Sequence, residues 1–160
     1  MPKKMLKKIL LSVSLLALAP LAQAEVSVQS AAFEDQWEKP HSISAETNWL
    51  IFSSHKDGGK WVKESLTELS VTDLSQYKTV FVADISAMPG FITRMFAIPK
   101  LQDLPFKVYL DLEGTATQNW PRNSEQVSVY RLQQGEIMST EYFSDEVALN
   151  TFLKGIIVTP

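Results

Sequence analysis

From residue 53 to residue 60 the chain reads Ser-Ser-His-Lys-Asp-Gly-Gly-Lys, and here side-chain types and spacing come nearest to chemistry. The stretch follows the apolar run Trp49-Leu50-Ile51-Phe52 and precedes a helix-periodic segment with Trp61, Val62, Ser65, Leu66 and Leu69 on one face. At a helix start the first backbone N–H groups lack intrahelical partners and the dipole adds partial positive charge, so the place favours an anion. Gly58 and Gly59 would let a ligand approach the backbone, and Lys56 or Lys60 would add charge. The same residues have a plainer use: Asp57 as the helix N-cap, the glycines as a tight entrance, the lysines in solvent. Both uses stand on the sequence alone, and a ligand cradle would tolerate alanine at either glycine as far as folding goes.

More specific phosphate chemistry fits less well. A Walker A loop counted back from Gly59-Lys60 puts Ser54 at its first glycine and Trp61 at its hydroxyl position, so it fails at both ends. A flavin-binding oxidoreductase with the FMN phosphate at the helix start near Gly58-Gly59 is the alternative function, because open α/β sheets hold such groups after a buried strand. Against it, His55-Lys56-Asp57 replaces most of the expected hydroxyls, and the chain has too few β-α units for a five-stranded parallel sheet. His41 lies near Glu34, Asp35 and Glu38, but Pro40 argues against a helix that would align them on a metal, leaving a solvated acidic turn. Ser53 or Ser54 with His55 and an aspartate makes a catalytic triad only on paper, since no nucleophile elbow is present. Asp111 and Glu113 on one strand end are too little for a carboxylate pair, and Trp37 and Trp120 are loop tryptophans that contact a partner or cover a core edge.

The chain contains no cysteine. Disulfide exchange, thiol-dependent peroxide reduction and thiolate metal sites are therefore chemically impossible. No catalytic residue and no metal site is expected.

The elements that must position the turn come from a short chain. Lys3, Lys4, Lys7 and Lys8 precede an apolar run from Ile9 to Ala22 and the small-residue site Ala22-Gln23-Ala24, the pattern of a secretory signal peptide over residues 1–24. That run is well short of the roughly 20 residues of a spanning helix, and Pro20 interrupts it. A periplasmic or secreted location is expected. Of the 15 basic residues four leave with the leader, against 18 acidic ones, so residues 25–160 form a single domain of formal charge −7. Such a chain is a poor binder of nucleic acid or anionic membrane, and no later segment can span a bilayer.

Phe33 and Ile43 flank a hairpin signal at Trp37-Glu38-Lys39-Pro40. Buried strands are expected over Trp49–Phe52 and Lys78–Ser86. Pro89 suits a helix start, Phe91, Ile92, Met95 and Phe96 make an apolar stripe, and Pro99 should end or kink the helix. "FKVYLDLEG" and a half-exposed "QVSVYRL" follow as strands, and Ser144 should cap a last helix carrying Val147, Leu149, Phe152 and Leu153. The order is a hairpin, then β-α-β-α-β-β-α.

This order resembles the thioredoxin arrangement. "TVFVADISAMPGFITRMFAIPKLQDLPFKVYLDLEG" is similar to the second half of thioredoxin-like domains, and "FEDQWEKPHSISAETNWLIF" to the extra N-terminal hairpin of exported ones. The resemblance covers roughly residues 33–154 and implies an α/β mixed sheet flanked by helices. It implies that Asp57 and Lys60 stand at the two positions of the redox Cys-x-x-Cys pair, and that Leu104-Pro105 is the cis-proline, so that Pro105 joins Ser54–Lys60 in one candidate binding surface. Relatives without the redox pair imply a binding or scaffold role, here with an envelope protein or small ligand as partner and no cofactor. The chain is also similar to small exported bacterial proteins sometimes labelled FAD/FMN-containing dehydrogenases, a label its residues do not support.

Overall fold

The computed structural model describes residues 26–157; the expected leader lies outside the described residues. The run Trp49–Ser53 forms β3 and is buried on both faces, with Leu50 and Phe52 in one apolar cluster and Ile51 in the other. After it come α1 (Lys56–Glu68), a 3-10 turn at Leu74–Tyr77 and β4 (Thr79–Asp84), which pairs parallel with β3. A helical stretch follows as α2 (Gly90–Ile92), a π turn (Thr93–Ala97) and α3 (Ile98–Gln102). β5 (Tyr109–Asp111) extends the parallel set, and β6 (Val127–Gln133), β7 (Glu136–Phe143) and α4 (Glu146–Ile157) complete the chain. The expected hairpin is present as β1 (Ala32–Asp35) and β2 (Pro40–Ser42), and β1 docks antiparallel on β5. The seven strands form one mixed sheet ordered β2-β1-β5-β4-β3-β6-β7.

Helices cover one face of this sheet, where Val62, Leu66, Leu101, Leu149 and Leu153 pack over Ile51, Phe81 and Val129. The other face has no helix among the described residues. Its Leu50, Phe52, Val82 and Tyr130 lie beneath Val28, Phe33 and Trp120, so Trp120, edge-on to Phe52 at 5.4 Å, covers a core edge while Trp37 stays exposed.

Several expectations need correction. β7 was not expected as a strand, because "EIMSTEYF" is an edge strand with one neighbour and little buried surface to pattern it. β6 is not half-exposed: Val127 to Tyr130 are all buried, since β6 lies between β3 and β7. The antiparallel pair at the end is therefore β6/β7, while the third expected strand is a short parallel one. Pro99 does not end its helix; the hydrogen-bond ladder widens into the π turn just before it, around Met95, the carbonyl its ring would oppose. α4 begins at Glu146, and Asp145, not Ser144, accepts the bond from the Ala148 amide at 2.9 Å.

The acidic turn near His41 is not solvated either. Asp35 is buried, and its carboxylate accepts from the amides of Trp37 (2.9 Å) and Lys39 (3.1 Å) and meets His41 Nε2 at 2.7 Å, while the imidazole stacks on Tyr109. Among the described residues no group of three His, Cys, Asp or Glu could hold a metal. Burial pushes the Asp35 carboxyl up, but the His41 bond, the two amides and the His41 charge outweigh it and hold it below its ordinary value. Its ionised form is thus favoured by folding, a stabilisation present above the unfolded value and lost as pH falls through the folded one. Asp35→Asn should cost about 1–2 kcal/mol at neutral pH, and urea melts should show the gap closing below about pH 4. A gap that stays constant down to about pH 2.5 would remove the carboxylate from the explanation.

Candidate functional site

α1 starts where β3 ends, at the C-terminal edge of the parallel strands. Its N-cap is His55, in an extended conformation and making no side-chain capping bond. Asp57 is therefore not the cap; the helix starts two residues earlier than expected, and Asp57 stands exposed in the first turn, where a carboxylate interacts favourably with the helix end without closing a capping bond. Lys60 is exposed and lies 3.7 Å from Glu64 one turn on, with both groups in solvent, a pairing worth little.

The two glycines differ. Gly58 is buried, and a Cβ there would come within 2.4 Å of His55 Cε1 and 2.9 Å of Val127 Cγ2. At Gly59 a Cβ would meet only Ser53 Oγ, at an ordinary 3.5 Å. Gly58 is thus a packing position under the imidazole, which corrects the expectation that either glycine tolerates alanine.

His55 and Asp57 line a cleft of about 340 Å³ together with Trp61, the segment Ser124-Glu125-Gln126 and Ser144. The imidazole is edge-on to Trp61 at 5.7 Å, and both ring nitrogens are buried without a hydrogen-bond partner. Buried polar atoms are normally satisfied, so this ring is the exception in the cleft wall. Ser54 is half-buried, whereas Lys56 and Lys60 are exposed; none of the three is in the cleft lining. With carboxylates from Asp57 and Glu125 in that wall, an anion drawn to the helix end would meet charge of its own sign.

Pro105 does not join this surface. It lines a second hollow, of about 350 Å³, with Trp37, Asp73, Lys107 and Tyr109. Among the described residues there is no cis peptide bond, so Leu104-Pro105 is trans. Pro105 leads into a parallel strand; the segment that enters the antiparallel pair beside α1 is Ser124-Glu125-Gln126, with Glu125 at φ +57°.

A polar clamp holds the loop that delivers this segment. Asp84 and Asp111 are register neighbours at the ends of β4 and β5. Asp111 accepts from the amides of Gly114 (2.8 Å) and Thr117 (2.9 Å) and from the Thr117 hydroxyl (2.8 Å). Arg122 donates to Asp84 (3.1 Å) and to the Thr117 carbonyl, and its guanidinium lies 4.6 Å above the Phe52 ring. Sequence reasoning missed Trp61 as a wall and missed Ser124–Gln126 and Ser144 altogether, because nothing in their local pattern signals that they return to α1.

No protein-family model and no curated protein matches the sequence. Solved structures do. A protein assigned as the thiol:disulfide interchange protein DsbE of Chlorobium tepidum superposes with a TM-score of 0.53 at 14% identity, over 79% of this chain and 89% of that one. Peroxiredoxin Q of Xanthomonas campestris gives 0.53 at 9% identity over 80% and 92%. A protein assigned as a thioredoxin from Neisseria meningitidis gives 0.52 at 17% over 83% and 91%. The fold is thioredoxin-like. In this thioredoxin-like domain the entrance of α1 carries His55, Lys56, Asp57 and two glycines, and thiol redox chemistry is excluded by the absence of cysteine from the chain. Among the described residues, no helix is long and apolar enough to cross a membrane.

Proposed function

We propose that this thioredoxin-like domain is a non-redox binding or scaffold protein of the periplasm, engaging an envelope protein or small ligand at the cleft beside the start of α1. The observation that carries the reading is His55, whose two ring nitrogens are buried and unpartnered in the wall of an open polar cleft. A turn of the ring toward the cleft would let a bound group donate to or accept from the imidazole and relieve that cost, which is about 1–3 kcal/mol for an unsatisfied buried polar atom. Asp57 and Glu125 favour a donor or a cation, and Trp61 offers an aromatic wall.

A flavin is not supported. Gly58, which should cradle the phosphate, is covered by the His55 ring and Val127, and two carboxylates line the space in front of the helix end.

Photo-crosslinking in the envelope tests the reading, with the reactive residue placed at Glu125 and, as a control, at Lys107 in the second hollow. The expected result is a discrete adduct from position 125 that is lost in His55→Ala, whose melting curve should be ordinary. Adducts from position 107 alone, or an adduct at 125 indifferent to His55→Ala, would move the functional surface elsewhere. A flavin absorbance spectrum in the purified protein would overturn the cofactor-free reading.

A further inference from the structure

Most of the apolar stripe of the middle helix faces solvent. Phe91 is 66% exposed, Met95 66% and Phe96 54%, whereas inward-facing Thr93 and Leu101 are buried. The π turn over Thr93–Ala97 explains how they share a surface. Residues five apart lie far apart around an α-helix, but i→i+5 bonding brings them into line, so Phe91 and Phe96 fall on one side with Met95 beside them. Single large apolar side chains at a surface are ordinary; three adjoining ones on one helix mark a contact.

Charge indicates what makes that contact. From Ile85 to Gln102 there is no acidic residue, while Arg94 and Lys100 are present, in a chain whose acidic residues outnumber its basic ones. Lys63 of α1 adds a third cation: burial first, and then the nearby Lys100 ammonium, push its pKa down, against the Glu64 carboxylate, which pulls it up. Among the described residues none of Arg94, Lys63 and Lys100 is in an ion pair. Cations thus predominate around the apolar stripe: Glu64 acts on Lys63, but among the described residues no carboxylate pairs with Arg94 or Lys100.

We infer that Phe91, Met95 and Phe96, with Arg94, Lys100 and Lys63, form a second docking surface, for a partner polypeptide segment that presents apolar anchors flanked by Asp or Glu. A second copy across a two-fold axis would set these cations against themselves. The chain's own residues 3–8 carry four lysines and are repelled likewise. An anionic bilayer would meet three cations here but a net negative protein behind them. An acidic amphipathic segment has none of these conflicts, and methionine beside two phenylalanines adapts to varied apolar anchors.

The experiment is selection from a displayed library of amphipathic peptides whose polar positions carry Glu or Lys at random, with purified protein as bait. Selected peptides should be net acidic. Their affinity should fall at least tenfold with Phe91→Ser/Phe96→Ser and with Arg94→Glu/Lys100→Glu, and the latter difference should shrink as salt rises. All four positions are exposed, so these variants should melt like the parent. His55→Ala should leave peptide binding unchanged, which separates this surface from the cleft. Failure to enrich acidic peptides, or enrichment indifferent to these variants, overturns the inference. So does Phe91-dependent binding to vesicles containing phosphatidylglycerol that exceeds binding to peptides, and so does self-association in sedimentation that Phe91→Ser abolishes.

Discussion

Gln36→Leu is expected to destabilise the domain by about 3–5 kcal/mol, a large part of the 5–15 kcal/mol that holds a domain of this kind together. Gln36 is 0% exposed, in the turn that follows β1. Its amide nitrogen donates to the carbonyls of Leu101 (3.2 Å) and Phe106 (2.8 Å), and its amide oxygen accepts from the Val108 amide at 2.8 Å. One side chain thus does the work of a ladder for the segment between α3 and β5, which has no strand partner there. Leucine fills a similar volume but leaves two carbonyls and one amide without partners in the interior, each costing about 1–3 kcal/mol. Urea melts give the loss directly. Hydrogen exchange should show faster opening of residues 105–111 than of β3 and β6, and a variant with parental stability would mean that water replaces the amide.

The second large effect is a contrast between neighbours. Gly58→Ala should cost about 1–3 kcal/mol, because the new methyl group meets the His55 ring and the stiff Val127 side chain of β6. Gly59→Ala should be neutral or stabilising by up to about 1 kcal/mol, since alanine is the better helix former and meets only an ordinary contact. Thermal melts of the pair decide it. In the double variant Gly58→Ala/His55→Ala part of the loss should return, because the ring is the nearer obstacle. Equal melts for the two single variants would show that the ring and Val127 move aside freely.

The stretches legible in the sequence are those whose pattern is set locally. β3 and β4 are continuous apolar runs in the sheet interior, α1 has one apolar face, and Trp37-Glu38-Lys39-Pro40 makes a tight turn. The N-cap was displaced by two residues, a common uncertainty at a helix end. What stayed hidden is tertiary. β7 pairs along its length with β6 and meets the N-terminal segment only at a single bridge, Ser27 to Glu136, so its exposure pattern is weak. Pro105 was placed through the resemblance, but the strand it leads into, β5, pairs parallel with β4, and the antiparallel pair is β6/β7. Of the candidate surface, His55 and Asp57 reach the cleft, yet its opposite wall comes from residues 124–126 through the Arg122 clamp, which no spacing near α1 announces.

The N-terminal hairpin has a consequence for time rather than for stability. β1 finds β2 within a few residues, but its partners in β5 lie 74 and 76 residues further along the chain, and the Val108 amide that Gln36 binds lies 72 further. Closing so long a loop is entropically costly before it is rewarded, whereas β3, α1 and β4 can assemble from nearby residues. β6 must reach back as far to β3, but the hairpin lies at the sheet edge and holds β5 through two register pairs and Gln36, so it is the part of the sheet expected to dock late and leave early. Weakening its seam at Gln36 should quicken the departure far more than it slows the assembly, so the lifetime of the native state is governed at an edge remote from the cleft in which a partner would bind.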